Sequence, residues 1–394
     1  MKLEGVVSGY AFTRNPVWVC DVRGDGFLDP GERGRFVIAR MGARIFESVV
    51  TSPVRINVSD MLEAYSEPVG DGNPDGSGLR LLEDGHTLAD RRFEFWLEDQ
   101  EGDRSDPVGC VAIPGGLSTR NFRKLVSLGT DIFLSRFFRE KGNFFLTTRT
   151  TSWLLPVRES ELAPLGFIQH AAGDITIKEC HQGSEIHFPD VAEGIWGLDI
   201  QELRLRFALE HDILPSVLDV WRDGVFACRI VVVTSESVKD NCRVRFRNSF
   251  GMLEVVDLAG AAAVSLSLAD DDDGETTSRR HDPLTDRFEK FRVRRASGRT
   301  YEIPDSVVSP RVVDSIADML GSEEVWLLDV APDPVKVIPS CESFRHETRP
   351  DAPLSMTFRF VECDESESFM ADMAGADDSV KPRLFSSQFV KQFN

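Results

Sequence analysis

The chain has 394 residues, enough at roughly 100–200 residues per domain for two or three domains with cores of their own. Its 65 acidic and 45 basic residues give a net charge of −20, which repels nucleic-acid phosphate and anionic membrane and favours cations or a basic partner. No run approaches the ~20 apolar residues of a membrane span, and the start, MKLEGVVSGYAF, has no apolar core of the kind a secretory signal needs.

Strands dominate from the beginning. NPVWVCDV, GRFVIAR, ARIFESVV, RRFEFWLED and VGCVAIPGG are short, rich in Val, Ile and Phe, and separated by Gly, Pro, Asp and Asn. RFEFWLE alternates apolar and polar residues, the mark of a half-buried antiparallel strand. Between the first two lies DVRGDGFLDPGE, residues 21–32. It lays Asp21, Asp25, Asp29 and Glu32 on ligand positions one, five, nine and twelve of a calcium loop, with Gly26 at six. Arg23 occupies position three, where an oxygen ligand belongs, and the flanks read as strands where an EF-hand needs helices. A calcium loop at a hairpin tip and a solvated hairpin connection both fit the letters. The second fits Arg23 better, so no metal is assigned.

SVVTSPVRINVSDML (48–62) matches SVVSPRVVDSIADML (306–320) at seven of fifteen positions. Chance and two copies of one β module with a helix on its edge are both open readings. EPVGDGNPDGSG (67–78) is a loop by composition. An amphipathic helix is predicted over 119–138, where Phe122, Leu125, Val126, Ile132, Phe133 and Phe137 recur at helical steps. NFFLTTRT and SWLLPVRESEL follow as strands, the second placing Glu159 and Glu161 on one solvated face.

DITIKEC and SEIHF read as strands with His181 and His187 at a turn and a strand end, since C-H-x₅-H is no zinc spacing. A helix over 199–209 sets Ile200, Leu203 and Phe207 on one face. ACRIVVVTS and CRVRFRNSFG resume the strands, and residues 242–260 form a hairpin whose Asn248 and Gly251 supply the turn. LADDDDGETTSRRHD (268–282) lacks an apolar face and reads as a solvated insertion. A third helix is expected over 309–320, capped by Ser309, with Pro310 at its first position and Gly321 ending it. From Asp364 on the composition is that of a frayed tail, or of a peptide that docks on a neighbour through Phe385, Phe389 and Phe393.

The seven cysteines are odd in number, contain no C-x-x-C pair and sit in or beside apolar runs, which predicts free thiols made in a reducing cytoplasm. There is no G-x-S-x-G, P-loop or H-E-x-x-H, so no catalytic residue and no cofactor is assigned.

Asn248, Gly251 and Glu254 spell a strand ending N-x-x-G-x-x-E. Asp318, Met319, Leu320 and Ser322 spell the helix end that follows, ahead of a V-x-L-L-D strand. This order resembles virion structural proteins of tailed phages and prophages of Bacteroidota-type bacteria, as do AFTRNPVWV near the start and GNFFLTTRTTSWLLPVRESELAPLGFI. The resemblance covers most of residues 1–363. It implies a non-enzymatic tail, tail-tip or baseplate component, made in the host cytoplasm and built into the virion. Its partners would be further copies of itself, other virion proteins and a host surface.

The expected fold is mainly β: tandem antiparallel β-sandwich modules with a few short helices. Residues 1–168 form an N-terminal sandwich, 169–240 a connecting β/α segment, 241–364 a C-terminal sandwich and 365–394 a flexible tail. The rival reading is a carbohydrate-binding or sugar-active sandwich using Trp96, Trp153, Trp196 or Trp221 as stacking platforms.

Overall fold

The computed structural model describes residues 1–6, 9–21, 26–82, 90–117, 122–123, 145–150, 152–169, 171–233, 241–268, 277–292, 297–308, 312–341 and 354–363. Most of the helix predicted over 119–138, Ser309, Pro310 and the tail from Asp364 lie outside these residues. The described residues are mainly β, in several sheets with three short α-helices.

The first module contains β1 (Lys2–Glu4), β2 (Tyr10–Phe12), β3 (Trp18–Cys20), β4 (Arg33–Arg40), β5 (Ala43–Thr51), β6 (Arg55–Asn57), α1 (Ser59–Ala64), β7 (Leu79–Leu81), β8 (Arg92–Glu98) and β9 (Val108–Ile113). Strands pair in the order β2-β9-β8-β4-β5, and β1-β3-β6 forms a second layer. Phe36, Ile38, Phe93, Phe95 and Leu97 point to one core, closed by Val19 and by Leu62 of α1. Val37, Ala39 and Trp96 are buried on the opposite face, so RFEFWLE is covered on both sides where its alternation predicts a half-buried strand. Burying each such side chain stabilises by about 1.5–3 kcal/mol. β3 and β4 belong to different sheets, so they are not the two arms of one hairpin.

The second module contains β10 (Leu154–Arg158), β11 (Leu165–Gln169), β12 (Gly173–Glu179), β13 (Glu185–Val191), β14 (Gly194–Leu198), α2 (Ile200–His211), β15 (Val217–Arg222) and β16 (Val225–Val233). The sheet β10-β16-β15-β12-β13 packs on the sheet β11-β14-β7. Ile200, Leu203 and Phe207 of α2 enter that core on the predicted face. Asp199 caps this helix by accepting from Glu202 N at 3.0 Å. The boundary expected between 168 and 169 therefore runs through one sandwich. Residues 154–169 and 171–233 share a core, and the segment read as a connection is a module in its own right. Two pairings, β2 with β9 and β10 with β16, are parallel.

The third module contains β17 (Asn241–Arg247), β18 (Leu253–Ala259), β19 (Ala263–Leu268), β20 (Thr277–Asp282), β21 (Arg287–Arg292), β22 (Ser297–Val308), α3 (Val313–Leu320), β23 (Val325–Leu327), β24 (Val335–Cys341) and β25 (Leu354–Glu362). Seven strands run β18-β17-β23-β24-β25-β22-β19 around a core that Ile316 and Met319 of α3 complete. Residues 277–282, read as part of a solvated insertion, are strand β20 paired with β21.

The first matching segment runs from β5 through β6 into α1 and the second from β22 toward α3, and their settings differ. β5 is a sheet edge and β22 lies between β25 and β19. The helices are also turned differently: Leu62 is buried in α1, whereas its counterpart Leu320 is half-buried and Met319 takes the core position. NFFLTTRT is not a strand over its described residues. Phe145 and Leu146 are adjacent yet enter different cores, which an extended strand packed on one side does not allow.

Candidate functional site at the junction of three modules

A separate apolar cluster joins the modules. Tyr10, Phe12 and Ile113 come from the first, Leu146, Ile168 and Ile195 from the second, and Phe250 and Met252 from the third. Phe250 and Met252 stand on the β17–β18 turn, so the geometry of that turn decides how the modules meet. Asn248 N donates to Met252 O at 2.8 Å and Gly251 N to Asn248 O at 2.9 Å. Asn248 Oδ1 accepts from Phe250 N at 2.9 Å and Met252 N at 3.0 Å, while Nδ2 donates to Leu146 O at 2.8 Å and also to Glu254. The buried amide is thus fully used, as burial of a polar group requires. Gly251 has φ +80°, and a Cβ there would stand 2.7 Å from Pro114 O, so both backbone angle and space call for glycine.

Glu254 leads to a buried ion-pair network. Arg149 Nε donates to Glu254 Oε2 at 2.9 Å and Nη1 to Glu161 Oε2 at 2.7 Å, and Nη2 reaches the carbonyl of Val255. Glu161 Oε1 accepts from Asp257 N at 3.0 Å. Burial by itself lowers the Arg149 pKa, but the two carboxylates outweigh it and hold the guanidinium above its ordinary value. Glu161 is therefore buried, not solvated. It sits on a 3-10 turn, Glu159–Glu161, and Glu159 pairs with Arg204 at 2.7 Å on the other side.

The second group of resemblance-bearing residues arrives at the same place. Asp318 Oδ2 accepts from Ser249 N at 2.9 Å and Thr148 Oγ1 at 3.0 Å. Burial pushes its carboxyl above the usual carboxylate value, against those two hydrogen bonds. Ser322 Oγ donates to Arg247 O at 2.8 Å, and Met319 fills the core beneath.

Two clefts flank the junction. One, of about 200 Å³, is lined by Arg14, Glu63, Glu323, Arg247 and Glu324. Arg14 bridges Glu63 at 2.8 Å and Glu323 at 3.3 Å, tying the first module to the third. The other, of about 280 Å³, is lined by Asp71, Arg80, Glu161, Arg243 and Arg245. There Arg243 pairs with Asp329, Arg245 with Asp71 and Arg80 with Asp199. The charged groups of both clefts are committed to one another, an arrangement that fixes geometry.

The remaining candidates are scattered. Asp21 is buried and its Oδ1 accepts from Phe27 N at 3.3 Å, while Glu32 Oε2 accepts from Asp29 N at 2.8 Å. Asp25 lies outside the described residues, among which no group of three His, Cys, Asp or Glu residues could hold a metal ion. His187 is exposed and bonded to Thr176 at 3.0 Å. Cys110, Cys228 and Cys242 are buried free thiols, whereas Cys180 and Cys363 are exposed. Trp96 is buried, with Nε1 on Glu98 at 3.0 Å, and Trp196 Nε1 donates to Ala192 O at 2.9 Å. Trp153 and Trp221 both pack edge-on against Phe226, at 5.8 and 5.7 Å. Arg149 escaped the sequence reading. Its position in TTRTT has no apolar neighbour on either side to signal burial.

No family model matches the chain, and no curated protein matches it. Among solved structures, a Ca2+-stabilized adhesin that helps an Antarctic bacterium bind ice aligns over 89% of this chain and 94% of its own, at 9% identity and a TM-score of 0.14. At that score the likeness carries no argument about fold or function.

Proposed function

We propose that this chain is a non-enzymatic structural component of a tailed-phage or prophage particle, in the tail, tail tip or baseplate, and that it assembles as a homo-oligomer. One observation supports the reading above the rest. The residues that carry the resemblance, Asn248, Gly251, Glu254, Asp318 and Ser322, are struts of one junction, where side chains from three modules lock a single turn. A component that transmits position through an assembly needs modules held at fixed angles, and a buried, fully hydrogen-bonded network supplies that. Its partners would be copies of itself and neighbouring particle proteins, with a host surface as a further contact.

The test is to purify native particles from an induced host and look for the chain by mass spectrometry and negative-stain imaging. A fixed copy number relative to the tail-tube protein is the expected result. A chain absent from every particle and monomeric at all concentrations would overturn the proposal.

A further inference from the structure

The sheet β10-β16-β15-β12-β13 buries one face in its sandwich and leaves the other open. The strand registers order that open face into rungs. Glu185, Lys178, Asp219 and Arg229 lie side by side across four strands, alternating in sign. Lys178 pairs with Glu185 at 2.9 Å and Arg229 with Asp219 at 2.7 Å. One rung along, Trp221 lies opposite Phe226, and Trp153 packs edge-on against the same phenyl ring. A third rung is aliphatic: Val217, Val231 and Pro156. Three large apolar side chains on or beside this face are open to solvent: Trp153 and Leu154 at 39% and Val233 at 46%. Exposed apolar side chains grouped with the aliphatic rung mark an interaction site.

We infer that this face is where a second copy of the chain docks, sheet against sheet. The inference rests on the assembly reading and names its surface. Charge carries the choice of occupant. The whole chain has a net charge of −20, so two copies repel across most of their surfaces. On this face Asp174, Glu185 and Asp219 stand against Lys178 and Arg229, a sum of −1 where the whole chain carries −20. A second copy therefore approaches here with little of the penalty it meets elsewhere. A rung of alternating sign is also self-complementary under a two-fold axis, which an interface between identical surfaces requires. Trp and Arg are the residues that dominate such interfaces, and paired sheets stack with their side chains interdigitated. Pro156 stands in the edge strand β10, where it lacks the N–H that strand addition uses, so the contact is through the face and not that edge.

The experiment is sedimentation velocity of the full chain over a wide concentration range, with Leu154→Glu, Val233→Glu and the control Leu209→Ser. Leu209 is 88% exposed on α2, which packs against the buried side of this sheet and not its open face. Association of the wild type, weakened at least tenfold by either glutamate substitution and unchanged by Leu209→Ser, with equal melting temperatures throughout, is expected. An oligomer indifferent to both glutamates sinks this surface while leaving the assembly reading intact. A wild-type chain that stays monomeric at every concentration overturns the inference. So does a monomer whose tryptophan fluorescence is quenched by cellohexaose and not in Trp153→Ala, which would make the face a glycan platform. Loss of the chain from purified particles would instead strike the assembly reading itself.

Discussion

Arg149 and Glu254 are 105 positions apart in sequence and meet inside the protein at 2.9 Å, with Glu161 on the other side of the same guanidinium. Removing the cation leaves two buried carboxylates facing each other. Arg149→Met should therefore cost roughly 3–5 kcal/mol in urea denaturation. Adding Glu161→Gln and Glu254→Gln should return part of that loss, because neutral amides tolerate burial better. A cost below about 1 kcal/mol for the single change would show that the network is not the brace described.

Gly251 gives the second prediction. Gly251→Val combines a positive φ of +80° with a Cβ 2.7 Å from Pro114 O. A non-glycine residue held in this region costs on the order of 1–3 kcal/mol before any clash. The expected result is a lower denaturation midpoint, and an unchanged midpoint would show that the turn relaxes freely.

Asp318 predicts a pH dependence. Burial raises its folded pKa above the ordinary 3.8, so the native state binds this proton more tightly than the unfolded chain. Its contribution to stability is complete below 3.8 and is lost as pH rises through the raised value. Asp318→Asn keeps an oxygen for Ser249 N and Thr148 Oγ1 but cannot ionise. Its stability relative to wild type should rise between pH 4 and pH 7 in denaturant titrations. A constant difference across that range would remove Asp318 as the source.

The acidic loop at 21–32 predicts calcium indifference. Asp21 and Glu32 already accept backbone N–H groups, from Phe27 and Asp29. A genuine site at ~100 times its Kd would add about 2.7 kcal/mol, a visible shift in a melting curve. The expected shift is nil with or without Glu32→Ala, which itself should cost about 1 kcal/mol through the lost Asp29 hydrogen bond. A calcium-dependent rise abolished by Glu32→Ala would make the loop a metal site.

What could be read in advance followed from local periodicity. The core face of α2, the inward Phe93, Phe95 and Leu97 of β8 and the glycine of the β17–β18 turn are properties of neighbouring residues. What could not be read depends on distant pairing. Arg149 is buried only because Glu161 and Glu254 meet it, and Glu161 looked solvated because its charge is local and its partner is not. Residues 21–32 looked like a hairpin because both flanks are strands, but which sheet each strand joins is settled by β1, β5, β6 and β8. The segment at 169–240 looked like a connection because its partners β10 and β11 precede it, and chain order hid the shared core.

Strand β7 sits in the first part of the chain but hydrogen-bonds to β14, with Leu79 opposite Leu198 and Leu81 opposite Trp196. During synthesis Leu79–Leu81 leaves the ribosome long before its partner exists, by on the order of ten seconds at ~5–20 residues per second. Through that interval the nascent first module displays a strand with nothing to pair against. The second sandwich cannot close its smaller sheet until the chain returns. Modules that look sequential are thus stitched backward in time, and a fragment starting after residue 117 would be born with the β14 edge bare.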